Sequence, residues 1–372
     1  MIDLLLGGSP CQGFSFAGKQ LNFFDPRSKL FFDYVKALEE LKPKYFLLEN
    51  VKMKQEYQDV ISKCLGVEPI EINSSLVSAQ NRVRLYWTNI PGIQQPKDKG
   101  ITWGDVREHG VEWSPMYYSD KAMEWIGKHG TRKGKKLKIH EDCKKMQMLE
   151  ASHFKKYSSQ RFFGIVDQPS AIKGRYIEMP SQIMGRKLNE EGHREDYNPQ
   201  IKPTQCLEVR GGDKINCLTT VRKDTVISPL PKGRYPDVFN QLEEGKHYRY
   251  ITVLECERLQ TLPDGYTAGI SDTQRYKALG NGWTADVIAH ILSFIPETNL
   301  QTVVSLFDGI SCGQIALERA GKVYNQYYAS EIDKYAIQVA MKNYPHTMQL
   351  GDVTKIDWKQ FLDMVNIIQK VS

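Results

Sequence analysis

Residues 7–19 read GGSPCQGFSFAGK and follow directly on the mostly apolar run 2–6. A cysteine after a proline, at the end of a buried strand and between glycines, sits where a nucleophile at the lip of a sheet belongs. A core cysteine needs no such turn, and a disulfide cysteine needs a partner. Cys11, held by Pro10, is therefore the candidate nucleophile. Glu49 and Asn50 close a second apolar run, YFLLEN, and place an acid and an amide at another strand end. In QNRVR, Arg82 and Arg84 alternate onto one face of a strand. Together these are residue types suited to nucleophilic attack assisted by proton transfer and fixed positive charge.

A second constellation lies near the C-terminus. VVSLFDGISCGQIALERAG is an apolar strand, a glycine-containing turn and a helix. In open α/β sheets ligands sit at the carboxyl ends of strands, where helix N-termini offer free N–H groups. The GxGxxG dinucleotide fingerprint is absent. The next strand ends in Glu331, an acid placed to take both hydroxyls of a ribose, followed by Ile332. The third ends in Asp352, placed to accept from an adenine amino group. Three such strand ends in succession point to a nucleoside site, and this arrangement to S-adenosylmethionine.

The elements that must position these residues are α/β at both ends of the chain. DLLLGG, YFLLEN and VRLYWTN read as strands, with a helix through LFFDYVKALEEL. From about residue 250, helices through TVLECERLQTL and TADVIAHILSFI precede three strand–helix alternations. Residues 95–210 have no clear strand pattern and are rich in Lys, Arg, Tyr, Gly and Ser. The stretch 128–138 holds six Lys or Arg and no acid. The expected division is therefore a catalytic domain in two parts, 1–95 and 236–372, interrupted by a smaller irregular domain over 96–235. In the closing segment Trp358, Phe361, Leu362, Val365 and Ile368 follow helical spacing, which predicts a helix recrossing the sheet to end near Met1.

Composition frames this reading. At 372 residues, 41% hydrophobic and 25% charged, the chain is long enough for a large core. No apolar run approaches the roughly 20 residues of a membrane span, and no export leader is visible. Seven scattered cysteines without a CxxC pair point to reduced thiols in a cytoplasm and away from zinc. A net charge of +6 is weak evidence for a polyanionic partner.

SPCQGFS, LLENV, QNRVR, CLTT, ALGNG and SLFDGISCG together resemble the cytosine-5 DNA methyltransferases, and phrases such as DPRSKLFFDYV look closest to de novo-type, phage and bacterial members. The resemblance implies a Rossmann-like mixed sheet that binds S-adenosylmethionine, a target-recognition domain, and base flipping in double-stranded DNA by a monomer. It implies that Cys11 adds to cytosine C6, that Glu49 contacts N3 and the exocyclic amine, and that Asn50 helps hold the loop. One of Arg82 and Arg84 would contact cytosine O2, with Arg84 favoured, while the other fixes the Cys11 loop and Glu49. On the cofactor side it implies Asn281, Trp283 against the methionine part, Phe307 on adenine, and Asp308 and Gly309 at the amino-acid end. Lys19, Gln20 and Arg27 lie in a loop suited to closing over DNA. Family members usually begin with the cofactor motif, whereas here the Pro-Cys motif comes first, so the order looks circularly permuted. The alternative is a tRNA cytosine-5 methyltransferase. Members with a Thr-Cys nucleophile are disfavoured by the lack of that pair, and the tRNA-methylating relatives by the lack of a Cys-Phe-Thr tripeptide.

Overall fold

The computed structural model describes residues 1–10, 30–108 and 249–371, and between them 179–189, 195, 200–201, 204–209, 215–218, 225–228 and 233–235. The chain forms two units. The first comprises 1–107, 214–222 and 252–372, and the second 108–213 and 223–251. The boundary lies at 107 rather than 95 because Trp103 and Val106 are buried and Arg258 donates to the carbonyls of Val106 and Arg107.

The first unit is built on a seven-stranded sheet. In chain order its elements are β1 (Leu4–Gly7), α1 (Leu30–Leu41), β2 (Tyr45–Val51), α2 (Gln55–Leu65), β3 (Ile70–Asn73), β4 (Gln80–Asn81), β5 (Val83–Thr88) and α3 (Trp103–Val106). In the second unit lie β6 (Met179–Arg186) and β7 (Thr204–Val209); β8 (Ile215–Asn216) returns to the first. β9 (Thr225–Ser228), β10 (Gly233–Tyr235) and β11 (Arg249–Tyr250) follow. Then come α4 (Val253–Leu259), α5 (Asp272–Asn281), α6 (Ala285–Leu292), β12 (Asn299–Leu306), α7 (Cys312–Arg319), β13 (Val323–Ser330), α8 (Lys334–Asn343), β14 (Met348–Gln349) and α9 (Trp358–Val371).

The sheet order is β14-β13-β12-β1-β2-β5-β3. β5 runs antiparallel to both of its neighbours, while the pairings from β14 to β2 are parallel. Central strands covered on both faces read as continuous apolar runs, and β1 is buried along its whole length. The adjacent strands β12 and β1 lie far apart in sequence, and the connections leaving them run to β13 on one side and β2 on the other. That reversal is where an open α/β sheet forms its ligand crevice. The strands that lead to Phe307, Glu331 and Asp352 thus stand beside the strand that leads to Pro10, although they lie at opposite ends of the chain.

α9 buries Trp358, Phe361 and Val365. Its last turns meet the N-terminus, where the Met1 ammonium donates to Asn366 at 3.1 Å and to Gln369 at 2.5 Å, and the Gln369 amide donates to the Met1 carbonyl at 2.9 Å. This is the return expected from the helical spacing.

The second unit contains a five-stranded sheet of order β10-β7-β6-β9-β11 with antiparallel pairing. Arg186 and Glu208 form a buried bidentate pair across β6 and β7, at 2.7 and 3.0 Å. The strand in MPSQIMGR was missed in the sequence because proline, serine and glycine blur any apolar alternation. β3 was missed as well, a strand of four residues.

Candidate active site

Two sets of residues meet at the carboxyl ends of β12 and β1. The first set is made by turns that leave β12, β13 and β14. After β12 the chain takes left-handed conformations at Phe307, Gly309 and Ser311, with φ of 59°, 61° and 59°. A phenylalanine there is sterically costly and persists only where the surroundings enforce it. The surroundings are specific. Asp308 accepts from the Tyr327 hydroxyl at 2.7 Å and from the Ser311 hydroxyl, and burial pushes its carboxyl upward from the usual range. The carboxylate of Glu331 accepts three backbone N–H groups: Gly309 at 2.9 Å, Ile332 at 2.7 Å and Asp333 at 2.8 Å. Glu331 therefore ties the end of β13 to the turn after β12. Oε1 accepts two of these N–H groups and Oε2 one, so Oε2 keeps acceptor capacity for a ligand hydroxyl. Ile332 is 74% exposed beside it. Asp352 accepts from the Thr354 N–H and hydroxyl, and these bonds, with Lys355 nearby, hold its carboxyl below the ordinary value.

The second set surrounds the end of β1. Asn50 is buried; its amide donates to the Ser9 hydroxyl and carbonyl at 3.2 and 3.3 Å. The residues before Pro10 are thereby fixed to β2. Glu49 is largely covered and has two neighbours, Arg84 Nε at 3.0 Å and the Trp283 indole N–H at 3.2 Å. Arg84 stands opposite Val51 in the antiparallel β2–β5 pair, so its side chain reaches Glu49 diagonally. Arg82 is buried and donates to the carbonyls of Gly280 and Gly282, the latter at 2.9 Å. Arg84 is the arginine paired with Glu49, while Arg82 braces the 280–282 turn that carries Asn281.

A single cavity of about 340 Å³ is lined by both sets. Pro10, Glu49, Asn50, Arg82 and Arg84 line it, and so do Asn281, Trp283, Phe307, Asp308, Gly309, Glu331, Ile332 and Asp352. The volume lies within the range of small-molecule sites. Cys11 and the loop candidates Lys19, Gln20 and Arg27 lie outside the described residues, as do the basic stretch 128–138 and Lys155, Lys156 and Arg161. Among the described residues no helix is long and apolar enough to cross a membrane, and no group of three or more potential ligands could hold a metal ion.

The model of the family described as C-5 cytosine-specific DNA methylase matches residues 1–62, 77–297 and 301–369. The chain belongs to the C-5 cytosine-specific DNA methylases. Among its relatives, the orphan methyltransferase M.SPRI of Bacillus phage SPR is 40% identical over 80% of this chain and 83% of its own. The type II methyltransferase M.PspPI of Psychrobacter sp. (strain TA137) is 61% identical over 75% of this chain and 60% of its own. The solved Dnmt2 methyltransferase of S. pombe aligns over 78% of this chain and 76% of its own at 15% identity. Its TM-score of 0.37 is too low to bear on the argument. The methylase is thus a DNA (cytosine-5-)-methyltransferase by family, and its sheet is the mixed, Rossmann-like one expected.

C-5 cytosine methylases use S-adenosylmethionine, and the residues of this methylase fit it. Strand-end carboxylates suit ribose and adenine donors, Asn281 is exposed at the cavity, and the exposed Ile332 offers an apolar surface. Trp283 has a contact not expected from the sequence. Its ring lies against Gly8, where a Cβ would come within 2.8 Å of the indole nitrogen, and that nitrogen binds Glu49. The sequence also gave no role to Ser9, or to Cys217 of CLTT, which lies beside both arginines. The only sequence signal was their presence inside quoted motifs.

Proposed function

We propose that this methylase transfers a methyl group to C5 of a cytosine flipped out of duplex DNA, through a covalent adduct on Cys11. The observation that carries the reading is the single cavity shared by the Pro10–Glu49–Arg84 set and the Glu331–Asp352–Asn281 set. Cytosine C5 is a weak nucleophile, and addition of a thiolate to C6 turns the ring into an enamine whose C5 can accept an electrophilic carbon. Glu49 receives the cytosine N3 and exocyclic amine edge and delivers a proton to N3 as the C6–S bond forms. Arg84, already beside Glu49, faces cytosine O2. Asn50 and Ser9 set the direction of the loop that carries Cys11. S-adenosyl-L-methionine would supply the methyl group from its sulfonium sulfur, leaving S-adenosyl-L-homocysteine as the S–CH3 bond breaks. When C5 has been methylated, its proton leaves to water, the C6–S bond breaks, Cys11 is released as the thiolate and the N3 proton returns to Glu49.

On the cofactor side, Glu331 takes the ribose hydroxyls and Asp352 the adenine amino group. Phe307 and Ile332 bound the base, and Asp308, Gly309, Asn281 and Trp283 bound the amino-acid end. The base must leave the stack for this chemistry to reach it. Residues 108–213 and 223–251 would supply target recognition, a task the methyl-transfer residues do not need that unit for. The enzyme acts as a monomer in the cytoplasm of a bacterial or phage-infected cell.

The order of motifs is that of a circular permutation. Support comes from the hydrogen bonds joining Met1 to Asn366 and Gln369. Termini that meet in space can be joined and opened elsewhere without loss of the fold. The test of the function is methyl transfer from labelled S-adenosylmethionine to duplex DNA and, in parallel, to tRNA. Label in DNA with an unlabelled tRNA pool supports the reading, and the reverse would replace it with the tRNA alternative.

A further inference from the structure

Cys217 sits in the short segment 214–222, the one stretch between 108 and 251 that belongs to the first unit. It is pinned there on both sides. β8 pairs in parallel with β4, the Ile215 N–H donates to the Ala79 carbonyl at 2.7 Å, and the Leu218 N–H donates to Gln80 Oε1 at 2.7 Å. The sulfur lies 3.2 Å from Arg82 Nη1 and 3.6 Å from Arg84 Nη2. Among the described residues it is the one side chain that accepts from both arginines. The remaining partners of Arg82 are the carbonyls of Leu218, Gly280 and Gly282, and those of Arg84 are Glu49 and the Val83 carbonyl.

Two guanidinium groups close together repel, and an acceptor between them with partial negative charge relieves that repulsion while fixing both orientations. The sulfur is suited to it. Burial pushes the Cys217 thiol up, but the charges of Arg82 and Arg84 outweigh burial and hold it below the ordinary thiol value. A thiolate accepts far more strongly than a neutral thiol.

We propose that Cys217 is a positioning residue for methyl transfer, its sulfur being the shared acceptor that orients Arg84 toward Glu49 and Arg82 toward the 280–282 turn. This rests on the reading of Glu49 and Arg84 as the groups that receive cytosine. Cys217 touches neither base nor cofactor in this scheme and acts only through the arginines.

The test compares Cys217→Ala with Cys217→Ser. The alanine variant should lose about ten- to a hundredfold in kcat on duplex DNA, in line with the cost of slightly misplaced catalytic groups, while its Kd for S-adenosylmethionine stays within about twofold. Serine, which keeps an acceptor, should recover most of the loss. An alanine variant with wild-type kcat overturns the proposal, and so does a serine variant as slow as alanine, since packing rather than acceptance would then be at work. A second measurement does not depend on turnover. The thiolate ultraviolet absorbance assigned to Cys217, taken as wild type minus Cys217→Ala, should titrate at higher pH when Arg84→Gln is introduced. An unmoved midpoint overturns the pairing even if the wild-type protein transfers no methyl group to DNA, an outcome that would instead refute the proposed function.

Discussion

Gly8→Ala tests the link between the end of β1 and Glu49. A Cβ at Gly8 would lie 2.8 Å from the Trp283 indole nitrogen and 3.2 Å from two ring carbons. Ordinary contacts between such atoms fall near 3.5–4.0 Å, so the indole must recede by roughly 0.5–1 Å. It has little room to do so, being buried. Overpacking of this kind costs about 1–3 kcal/mol of stability. The retreat also stretches the 3.2 Å bond from the indole to Glu49. A displacement of about 1 Å at a catalytic group can cost on the order of a hundredfold in rate. We expect kcat for methyl transfer to duplex DNA to fall about ten- to a hundredfold, with a lowered urea midpoint. Adding Trp283→Phe removes the clashing ring edge together with its N–H, so the urea midpoint should recover while kcat stays low. Gly8→Ala with kcat within about twofold of wild type and an unchanged midpoint would refute this linkage.

Glu331→Ala removes three backbone hydrogen bonds as well as the proposed ribose acceptor. It should weaken S-adenosylmethionine about ten- to a hundredfold by calorimetry, since a bond to a charged group is worth roughly 1.5–3 kcal/mol; an unchanged Kd would make Glu331 only a brace of the turn. Asp333 accepts from Tyr335 and Ala336 at the start of α8 and pairs with Lys277 at 2.6 Å. Burial raises its carboxyl, but Lys277 and the N–H groups outweigh that and leave it below the ordinary value. A depressed carboxyl stabilises the fold above the unfolded-state value near 3.9 and loses that contribution as pH falls through the folded value. The gap between wild type and Asp333→Ala, about 1 kcal/mol at pH near 7, should therefore shrink in acid; a gap independent of pH in urea titrations would contradict this. Neutralising Lys133, Lys135 and Lys136 together should weaken binding to all DNA sequences alike and reduce the salt slope by up to about 2.7. An unaltered slope would move the phosphate contacts elsewhere in the second unit.

The α/β part of the fold was legible because its signals are local. LFFDYVKALEEL forms α1 with the expected ends, and the apolar runs at β1, β2 and β12 are buried as such runs must be. The sheet order was not written in any one segment. It emerges from pairing β1 with β12 across nearly the full chain, which only the resemblance foreshadowed. Strand-end acids were legible by position, but their partners were not. Nothing in LLENV and ALGNGW says that Glu49 meets Trp283, and nothing in CLTT says that its cysteine lies between two arginines. Those contacts depend on tertiary register, set by β2–β5 and β4–β8 pairing. In the second unit β6 was illegible because its pattern is diluted by Pro, Ser and Gly.

The covalent role of Cys11 is the claim on which the rest of the chemistry depends. Duplex DNA carrying 5-fluorocytosine at the target tests it directly, because fluorine cannot leave C5 as a proton does and the adduct is trapped after methylation. With S-adenosylmethionine present, mass spectrometry should find wild-type protein bound to DNA through the peptide containing Cys11, and Cys11→Ser should form no adduct while still binding the cofactor. Wild-type protein that methylates ordinary duplex DNA yet leaves the fluorinated duplex free of adduct would contradict the account.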